Sequence, residues 1–204
     1  MVVTIGQENV ENLLAAIAAK TPTPGGGAVA AITSALAAAL GQMVVNYSCS
    51  KPSLAEHKEL HEEALRTLAD LQGSALRLAD ADAEAFAHLS DLWGLPADDV
   101  RRQAEWNDAV AAAIDAPRQV MGASMATLRL TERLSGKTVR NLRSDLAITA
   151  LLAEAGARAA ACNVRINIPL LNDKAQAAEL EAEVVGILQQ AARICAAVQE
   201  ASST

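Results

Sequence analysis

Three carboxylates alternate along the stretch LADADAEAF (residues 78–86), and one of them is a candidate for acid–base chemistry. On a helix, residues two apart point about 200° apart, so Asp80, Asp82 and Glu84 cannot form one cluster. A calcium loop is excluded as well, because its sixth position counted from Asp80 is Ala85, where such a loop requires Gly. Asp82 shares a helix face with Phe86, and a carboxylate beside an apolar ring is a candidate general acid or base. The alternative is a solvated acidic stripe.

The segment TPTPGGGAVAA (residues 21–31) places Gly25, Gly26 and Gly27 where a loop enters a helix. Unhindered backbone N–H groups at such a point attract anions and carbonyl oxygens. No Gly-Lys-Ser/Thr follows, so the segment is not the phosphate-binding loop of nucleotide triphosphatases. Three glycines exceed what most turns need, which favours a large group lying against the backbone. The alternative is a tight turn that needs left-handed backbone angles.

Two histidines lie one helical turn apart in HKELH, as in some metal sites. The residue after His57 is Lys58 rather than the Glu of a zinc protease helix, and no third ligand accompanies His61. We therefore predict no metal site.

Several polar side chains fall in segments that should be buried. Asn46 ends a long apolar run, Asp145 opens a later one, and Asn163, Arg165 and Asn167 lie together in NVRIN. A buried Asn needs hydrogen-bond partners. These groups are therefore either structural caps or hydrogen-bonding partners for a heterocycle rich in N–H and C=O groups. The local sequence favours neither alternative.

The composition predicts one all-α domain over residues 1–204. The chain is 51% hydrophobic but only 2% aromatic, so its core must be built from Ala, Leu, Val and Ile. Ala is the best helix former and lets helices approach closely, which predicts a bundle of six to eight helices. The net charge of -7 argues against a nucleic-acid partner, which requires a basic face, but it permits a local basic pocket for an anionic small molecule.

The sequence also carries indications of location. The N-terminus lacks the basic start and the small-residue cleavage site of a signal peptide. The most apolar stretch, residues 28–45, is interrupted by polar residues and is expected to be a buried core helix rather than a membrane span. Cys49, Cys162 and Cys195 are expected to be buried thiols of a reducing compartment. We therefore expect a cytoplasmic protein with no membrane partner.

Capping residues, glycines and prolines predict the helix boundaries. A capping box of Thr4 and Gln7 predicts a first helix that ends near Lys20. A second capping box, Ser53 with Glu56, predicts a long helix that ends at Trp93. The remaining helices are expected over about residues 27–46, 99–116, 118–134, 145–162 and 173–198, with Pro117 and NVRINIPLLND as breaks.

In combination these segments resemble the cyclodeaminase/cyclohydrolase family, which comprises methenyltetrahydrofolate cyclohydrolases and the cyclodeaminase domain of formiminotransferase-cyclodeaminase. The resemblance implies an all-α fold, a homodimer, and a tetrahydrofolate derivative bound in a groove near the glycines, with no other cofactor. The matching segments run in order through nearly the whole chain: TPTPGGGAVAA, MVVN (43–46), DAEAF (82–86), NLRSD (141–145), NVRIN (163–167) and Asp173.

The resemblance gives the candidate residues roles. In a cyclohydrolase, water adds to the carbon of the amidinium-like methenyl cation, and the adduct opens to formyltetrahydrofolate. Asp82 is the first candidate for the carboxylate that takes the proton of the water, and Asp145 is the second. The remaining roles are to hold the pterin (the amides of Gly25, Gly26 and Gly27, with Asn46, Asn163 and Asn167) and to meet the anionic glutamate tail (Lys51 and Arg165).

Two segments depart from the family pattern. The family's Asn-Leu-Thr-x-Gly-Lys-Lys run is Asn-Tyr-Ser-Cys-Ser-Lys-Pro here (residues 46–52), and its Gly-Asn is replaced by Thr138-Val139. No formiminotransferase domain is present in the 204 residues, which favours the cyclohydrolase over the cyclodeaminase, an ammonia-releasing enzyme. Two further hypotheses are a non-catalytic folate-binding homologue and a purely structural helical protein.

Overall fold

The computed structural model describes residues 4–203, and every regular element within them is helical. The predicted all-α bundle of six to eight helices is confirmed. Short 3-10 turns precede or join the main helices at Ile5–Gln7, Pro52–His57, Arg140–Leu142 and Ile168–Leu170. The six α-helices are α1 (Val10–Ala18), α2 (Gly26–Cys49), α3 (Lys58–Trp93), α4 (Val100–Leu134), α5 (Arg143–Asn167) and α6 (Lys174–Ser203).

Helix α2 is the centre of the bundle. It packs between α3 and α5, with α4 in contact with all three, and α6 covers α5 and α4. α2 and α5 are antiparallel, because Gly26 faces Asn163 at one end and Gly41 faces Thr149 further along. A side chain at Gly156 of α5 would place its Cβ 3.3 Å from the Ser34 amide nitrogen of α2, which is tighter than most Cβ contacts, so glycine allows the close approach at this crossing.

The core consists of two apolar clusters, one around each half of α2. The cluster at its N-terminal half includes Ala28, Ala31, Leu89, Leu92, Met121 and Val164. The cluster at its C-terminal half includes Ala38, Val44, Leu68, Leu128, Leu146 and Ile194. Within residues 4–203, α2 alone is long and apolar enough to cross a membrane by length and composition, and more than half of that stretch is buried in the bundle. A core helix of a soluble protein has the same character.

The predicted capping boxes are wrong at both places. The hydroxyl of Thr4 makes no hydrogen bond, and only a 3-10 turn follows it. α1 instead begins after Asn9, whose Oδ1 accepts from the Asn12 amide at 2.8 Å. The segment after Pro52 is likewise a 3-10 turn without a side-chain cap, and α3 starts only at Lys58. α1 thus begins at a local asparagine cap that the sequence pattern missed, whereas α3 begins without any side-chain cap.

Pro117 does not end a helix, contrary to expectation. α4 is continuous from Val100 to Leu134, and Pro117 lies in it as a buried residue. A proline inside a helix removes one backbone hydrogen bond. The packing of a buried helix over both sides of the proline offsets that loss. The predicted cap is present, since Asp99 accepts from the amides of Arg101 and Arg102.

Two other expectations are corrected in α5 and at the cysteines. α5 continues through Asn167, so NVRIN belongs to its last turns and not to a break. The break comes after it, and Asp173 caps α6 by accepting from the Ala175 amide at 2.8 Å. Cys195 is buried, but Cys49 and Cys162 are exposed. They are not core thiols.

Candidate active site

A cavity of about 280 Å³ lies at the N-terminal end of α2. Helices α3, α4 and α5 supply its walls, and the loop before α2 together with the first residues of α2 closes its base. The lining residues are Pro22, Thr23, Gly25, Gly26, Gly27, Asp82, Phe86, Trp93, Ala113, Asn163, Ile166 and Asn167.

The carboxylate of Asp82 lies directly against the α-carbon of Gly27. A Cβ on Gly27 would overlap both carboxylate oxygens. The other two glycines are less restricted, since a Cβ on Gly26 would be 3.5 Å from Asn163 Oδ1, and one on Gly25 would be 3.6 Å from the Pro22 carbonyl oxygen. Gly27 is therefore required by the position of Asp82.

The glycines are not there for left-handed backbone angles. Among residues 4–203 only Gly136 has a positive φ, at 73°. Gly25 is the N-cap of α2 in an extended conformation and has no side chain to cap the helix. The first backbone N–H groups of α2 therefore remain free to donate, at the positive end of the helix dipole.

Asp82 has the electrostatic character of a general base. Its carboxylate makes no hydrogen bond or ion pair with another residue of the described chain, and desolvation by burial raises its pKa above the ordinary value. Its neighbours in LADADAEAF are used differently: Asp80 accepts from the Ile5 amide at 2.8 Å, and Glu84 is exposed. Only one carboxylate of the three lines the cavity.

Two asparagines of α5 line the opposite wall. Asn163 donates from Nδ2 to the Ala159 carbonyl, and Asn167 donates from Nδ2 to the carbonyls of Ala113 and Asn163. Their Oδ1 atoms accept no hydrogen bond from the described residues. The cavity thus combines free backbone donors with free side-chain acceptors, which suits the N–H and C=O groups of a flat heterocycle.

Aromatic side chains stand in this cavity although the chain has few of them. Phe86 and Trp93 line it and are 43% and 51% exposed. Sequence analysis connected Phe86 with Asp82 but missed Trp93. The signal was present, because positions 82, 86 and 93 lie on one helix face at a spacing of four and seven residues.

Three predicted site residues lie at the other end of α2. Asn46 is exposed near the C-terminus of the helix, about 30 Å along its axis from Gly26. Lys51 is exposed in the loop that follows. Asp145 lies in the first turn of α5, about 27 Å along that helix from Asn163. These residues do not meet the glycine loop or Asp82 within the chain.

The remaining predicted residues are bound in other contacts. Arg165 points away from the cavity and forms an exposed ion pair with Glu181, with a shortest N–O distance of 2.7 Å. His61 is buried, and its Nε2 lies 2.7 Å from the Lys137 carbonyl oxygen. Within residues 4–203 no group of three or more His, Cys, Asp or Glu side chains is arranged to hold a metal ion.

Comparisons with known sequences and structures identify the family of this chain. The sequence matches the formiminotransferase-cyclodeaminase family over residues 9–186. The chain belongs to this family.

The relatives of this chain are named for two different activities, a cyclohydrolase and a cyclodeaminase. The chain is 33% identical over 190 residues to the methenyltetrahydrofolate cyclohydrolase of Methylorubrum extorquens, covering 91% of each chain. It is 26% identical over 180 residues to the formimidoyltransferase-cyclodeaminase of Gallus gallus, of which it spans 33%. The crystal structure of formiminotetrahydrofolate cyclodeaminase from Thermotoga maritima superposes with a TM-score of 0.90 at 23% identity, covering 98% of each chain. That structural likeness shows the fold.

Proposed function

We propose that this protein is a methenyltetrahydrofolate cyclohydrolase, which hydrolyses 5,10-methenyltetrahydrofolate to formyltetrahydrofolate in the cytoplasm without a further cofactor. The observation that carries the proposal is the partly buried Asp82 carboxylate held against Gly27 in a cavity with aromatic walls. The named activity of the relative with 33% identity over nearly the full length of both chains supports it.

The chemistry needs one carboxylate that is first a base and then an acid. Asp82 stabilises the cationic methenyl group and takes a proton from the attacking water as the C–O bond forms. The neutral tetrahedral adduct then opens: one C–N bond breaks, Asp82 returns its proton to the leaving nitrogen, and the adduct hydroxyl loses its proton to solvent. The net reaction consumes one water and releases one proton. Desolvation strengthens Asp82 as a base for the first step.

The polar groups around Asp82 hold and orient the pterin. The free N–H groups at the start of α2 donate to its carbonyl and ring nitrogens. The Oδ1 atoms of Asn163 and Asn167 accept from its N–H groups, and their own Nδ2 hydrogen bonds fix them in place. The absence of side chains on the glycines lets the flat ring approach the backbone.

A turnover assay on two substrates tests this function against its alternatives. Hydrolysis of methenyltetrahydrofolate, followed by its loss of absorbance, should exceed the buffer rate. Formiminotetrahydrofolate should be converted far more slowly. Faster conversion of the formimino substrate with release of ammonia would instead identify a cyclodeaminase. Calorimetric binding of tetrahydrofolate without any turnover would identify a non-catalytic homologue.

The proposed homodimer uses the outer face of α2. Val29, Leu36 and Tyr47 recur along one side of that helix and are 39%, 55% and 60% exposed. Ile148 and Leu151 of the adjacent α5 are exposed as well. α1 buries none of its residues in the protomer, although a nine-residue helix is not stable alone in water. A second copy of the chain would cover these surfaces.

A two-fold axis near the middle of α2 would also complete the site. The two α2 helices would then be antiparallel, and the Gly26 end of one would lie beside the segment with Asn46 and Lys51 of the other. Asn46, Lys51 and Asp145 would in this arrangement contribute to the partner's cavity. This gives the residues that lie far from Asp82 in one protomer a role in folate binding.

Mixed dimers test this arrangement. Asp82→Asn and Lys51→Ala proteins, each impaired alone, should regain activity when they are unfolded together and refolded, because half of the sites in a mixed dimer carry both native residues. No recovery would mean that Lys51 does not contribute to the partner's site. For the dimer itself, Leu36→Glu should give a monomer by light scattering, whereas Val185→Glu on exposed α6 should not. A monomeric wild-type protein would contradict the dimer.

A further inference from the structure

Three of the four Phe, Trp and Tyr side chains of the chain gather at one end of the bundle. Phe86 and Trp93 line the candidate active site, and Trp106 of α4 packs edge-on against Trp93, with ring centres 5.9 Å apart and planes at 89°. The aromatic wall of the cavity thus continues onto α4. Trp106 also packs against the core, but Trp93 remains half exposed, so much of its ring is not used in core packing.

A second cavity of about 370 Å³ lies on the far side of the Trp93–Trp106 pair. It is lined by Trp106, by neutral polar side chains and by a single cation, Arg102. Asn172 donates to Asn107 Oδ1 across it at 2.9 Å. The active-site cavity and this polar cavity are therefore neighbours that share one aromatic wall.

Arg102 is held in place but its charge is not neutralised. The guanidinium carbon lies 4.7 Å from the centre of the Trp106 ring, and Nη1 donates to the Leu95 carbonyl at 2.6 Å. Within residues 4–203 no carboxylate oxygen lies within 4.0 Å of its guanidinium nitrogens, although Asp99 accepts from the Arg102 backbone amide. Its neighbour Arg101 is paired with Glu105. Arg102 can therefore still donate to an anion, and its planar group suits a carboxylate.

We propose that the Arg102 cavity binds the anionic end of the substrate tail, an aromatic amide that ends in carboxylates. This inference rests on the proposed function, because the ring that occupies the first cavity sets where the tail begins. The aromatic part of the tail packs along Trp93, and a tail carboxylate accepts from Arg102. Arg165, the candidate from the sequence, already has its charge paired with Glu181. Trp106 pre-orders the guanidinium, which lowers the entropy lost on binding.

Paired ligands with and without the carboxylates test the proposal by calorimetry. Wild-type protein should bind tetrahydrofolate more tightly than tetrahydropteroate, which lacks the glutamate, by roughly ten- to hundredfold. Arg102→Gln should lose that difference by weakening tetrahydrofolate alone, whereas Arg102→Lys should retain part of it. Arg101→Gln is the matched control and should behave as wild type. Thermal unfolding of each variant checks that it is folded.

The outcomes separate this inference from the proposed function. Equal affinities for the two ligands in wild type, or a loss of affinity for both in Arg102→Gln, would overturn the assignment of Arg102. If methenyltetrahydrofolate is nevertheless hydrolysed, the proposed function stands. If neither ligand binds and nothing is hydrolysed, both fail together.

Discussion

The two ends of α2 use polar groups in opposite ways. At the glycine end, the first N–H groups of the helix, the Asp82 carboxylate and the Oδ1 atoms of two asparagines are left without protein partners. At the other end, Ser48 donates to Val44 at 2.7 Å and accepts from the Val139 amide at 3.1 Å. His61 similarly holds the Lys137 carbonyl of the same loop.

This difference distinguishes a ligand-binding site at one end of α2 from structural hydrogen bonds at the other. The polar groups at the glycine end are partly buried, lie together in a cavity and have no partner among the described residues, so they are available to a ligand. Paired groups at the other end instead fix the loop over residues 135–142 against α2 and α3. Substitutions at the two ends should therefore affect different properties, namely turnover at one and stability at the other.

The largest effect is expected from Asp82→Asn. Removal of a general base should lower the turnover of methenyltetrahydrofolate by about 10²–10⁴-fold, while binding of tetrahydrofolate remains. Glu84→Gln changes an exposed carboxylate two residues away and is the matched control with unchanged turnover. Full activity in a folded Asp82→Asn protein would remove Asp82 from the mechanism.

Gly27→Ala should give the next largest effect. The new Cβ would displace the Asp82 carboxylate, with an expected loss of turnover of at least about tenfold and a stability cost of about 1–3 kcal/mol. Gly25→Ala places its Cβ at an ordinary contact distance and should remain close to wild type in both. Equal behaviour of the two variants in kinetics and urea unfolding would contradict the close contact between Gly27 and Asp82.

At the supporting end, His61→Ala should mainly reduce stability. The substitution leaves the Lys137 carbonyl without its partner, which costs about 1–3 kcal/mol of the free energy of unfolding. Denaturant unfolding measures this loss. His57→Ala is the control, because that ring makes only an edge contact with His61 and a long ion pair. A loss in His57→Ala as large as that in His61→Ala would mean that ring packing, and not the hydrogen bond, holds the loop.

The smallest expected effect is a gain in stability in Asp82→Asn. Desolvation raises the pKa of Asp82 in the folded protein above its value in the unfolded chain. The protonated carboxyl therefore contributes most to the free energy of unfolding below the unfolded pKa, and this contribution is lost as pH rises through the folded pKa. The neutral Asn should therefore stabilise the protein at neutral pH by less than about 1 kcal/mol, since the group is partly screened by solvent. The gain should shrink in unfolding experiments at acidic pH. A variant less stable than wild type at neutral pH would contradict the desolvation.

The sequence predicted the helical class and the close neighbours within the site, but not distances across the bundle. The sequence placed Asp82 and Phe86 on one face because they lie one helical turn apart. It also predicted the glycine loop as a binding element from its composition. Asn46 and Asp145 looked equivalent to Asn163 because motif order says nothing about helix length. The length of α2 places Asn46 about 30 Å from Gly26, and the length of α5 places Asp145 about 27 Å from Asn163. Arg102 could not be found, since its position depends on how α3 and α4 bring two tryptophans together.

The pH dependence of turnover tests most directly whether Asp82 activates the water. The wild-type kcat/KM for methenyltetrahydrofolate should fall as pH drops through the raised pKa of Asp82, because the protonated carboxyl cannot accept a proton. In Asp82→Asn the residual rate should lack this acid limb. An acid limb of the same position in both proteins would show that another group is the base, and would contradict the account.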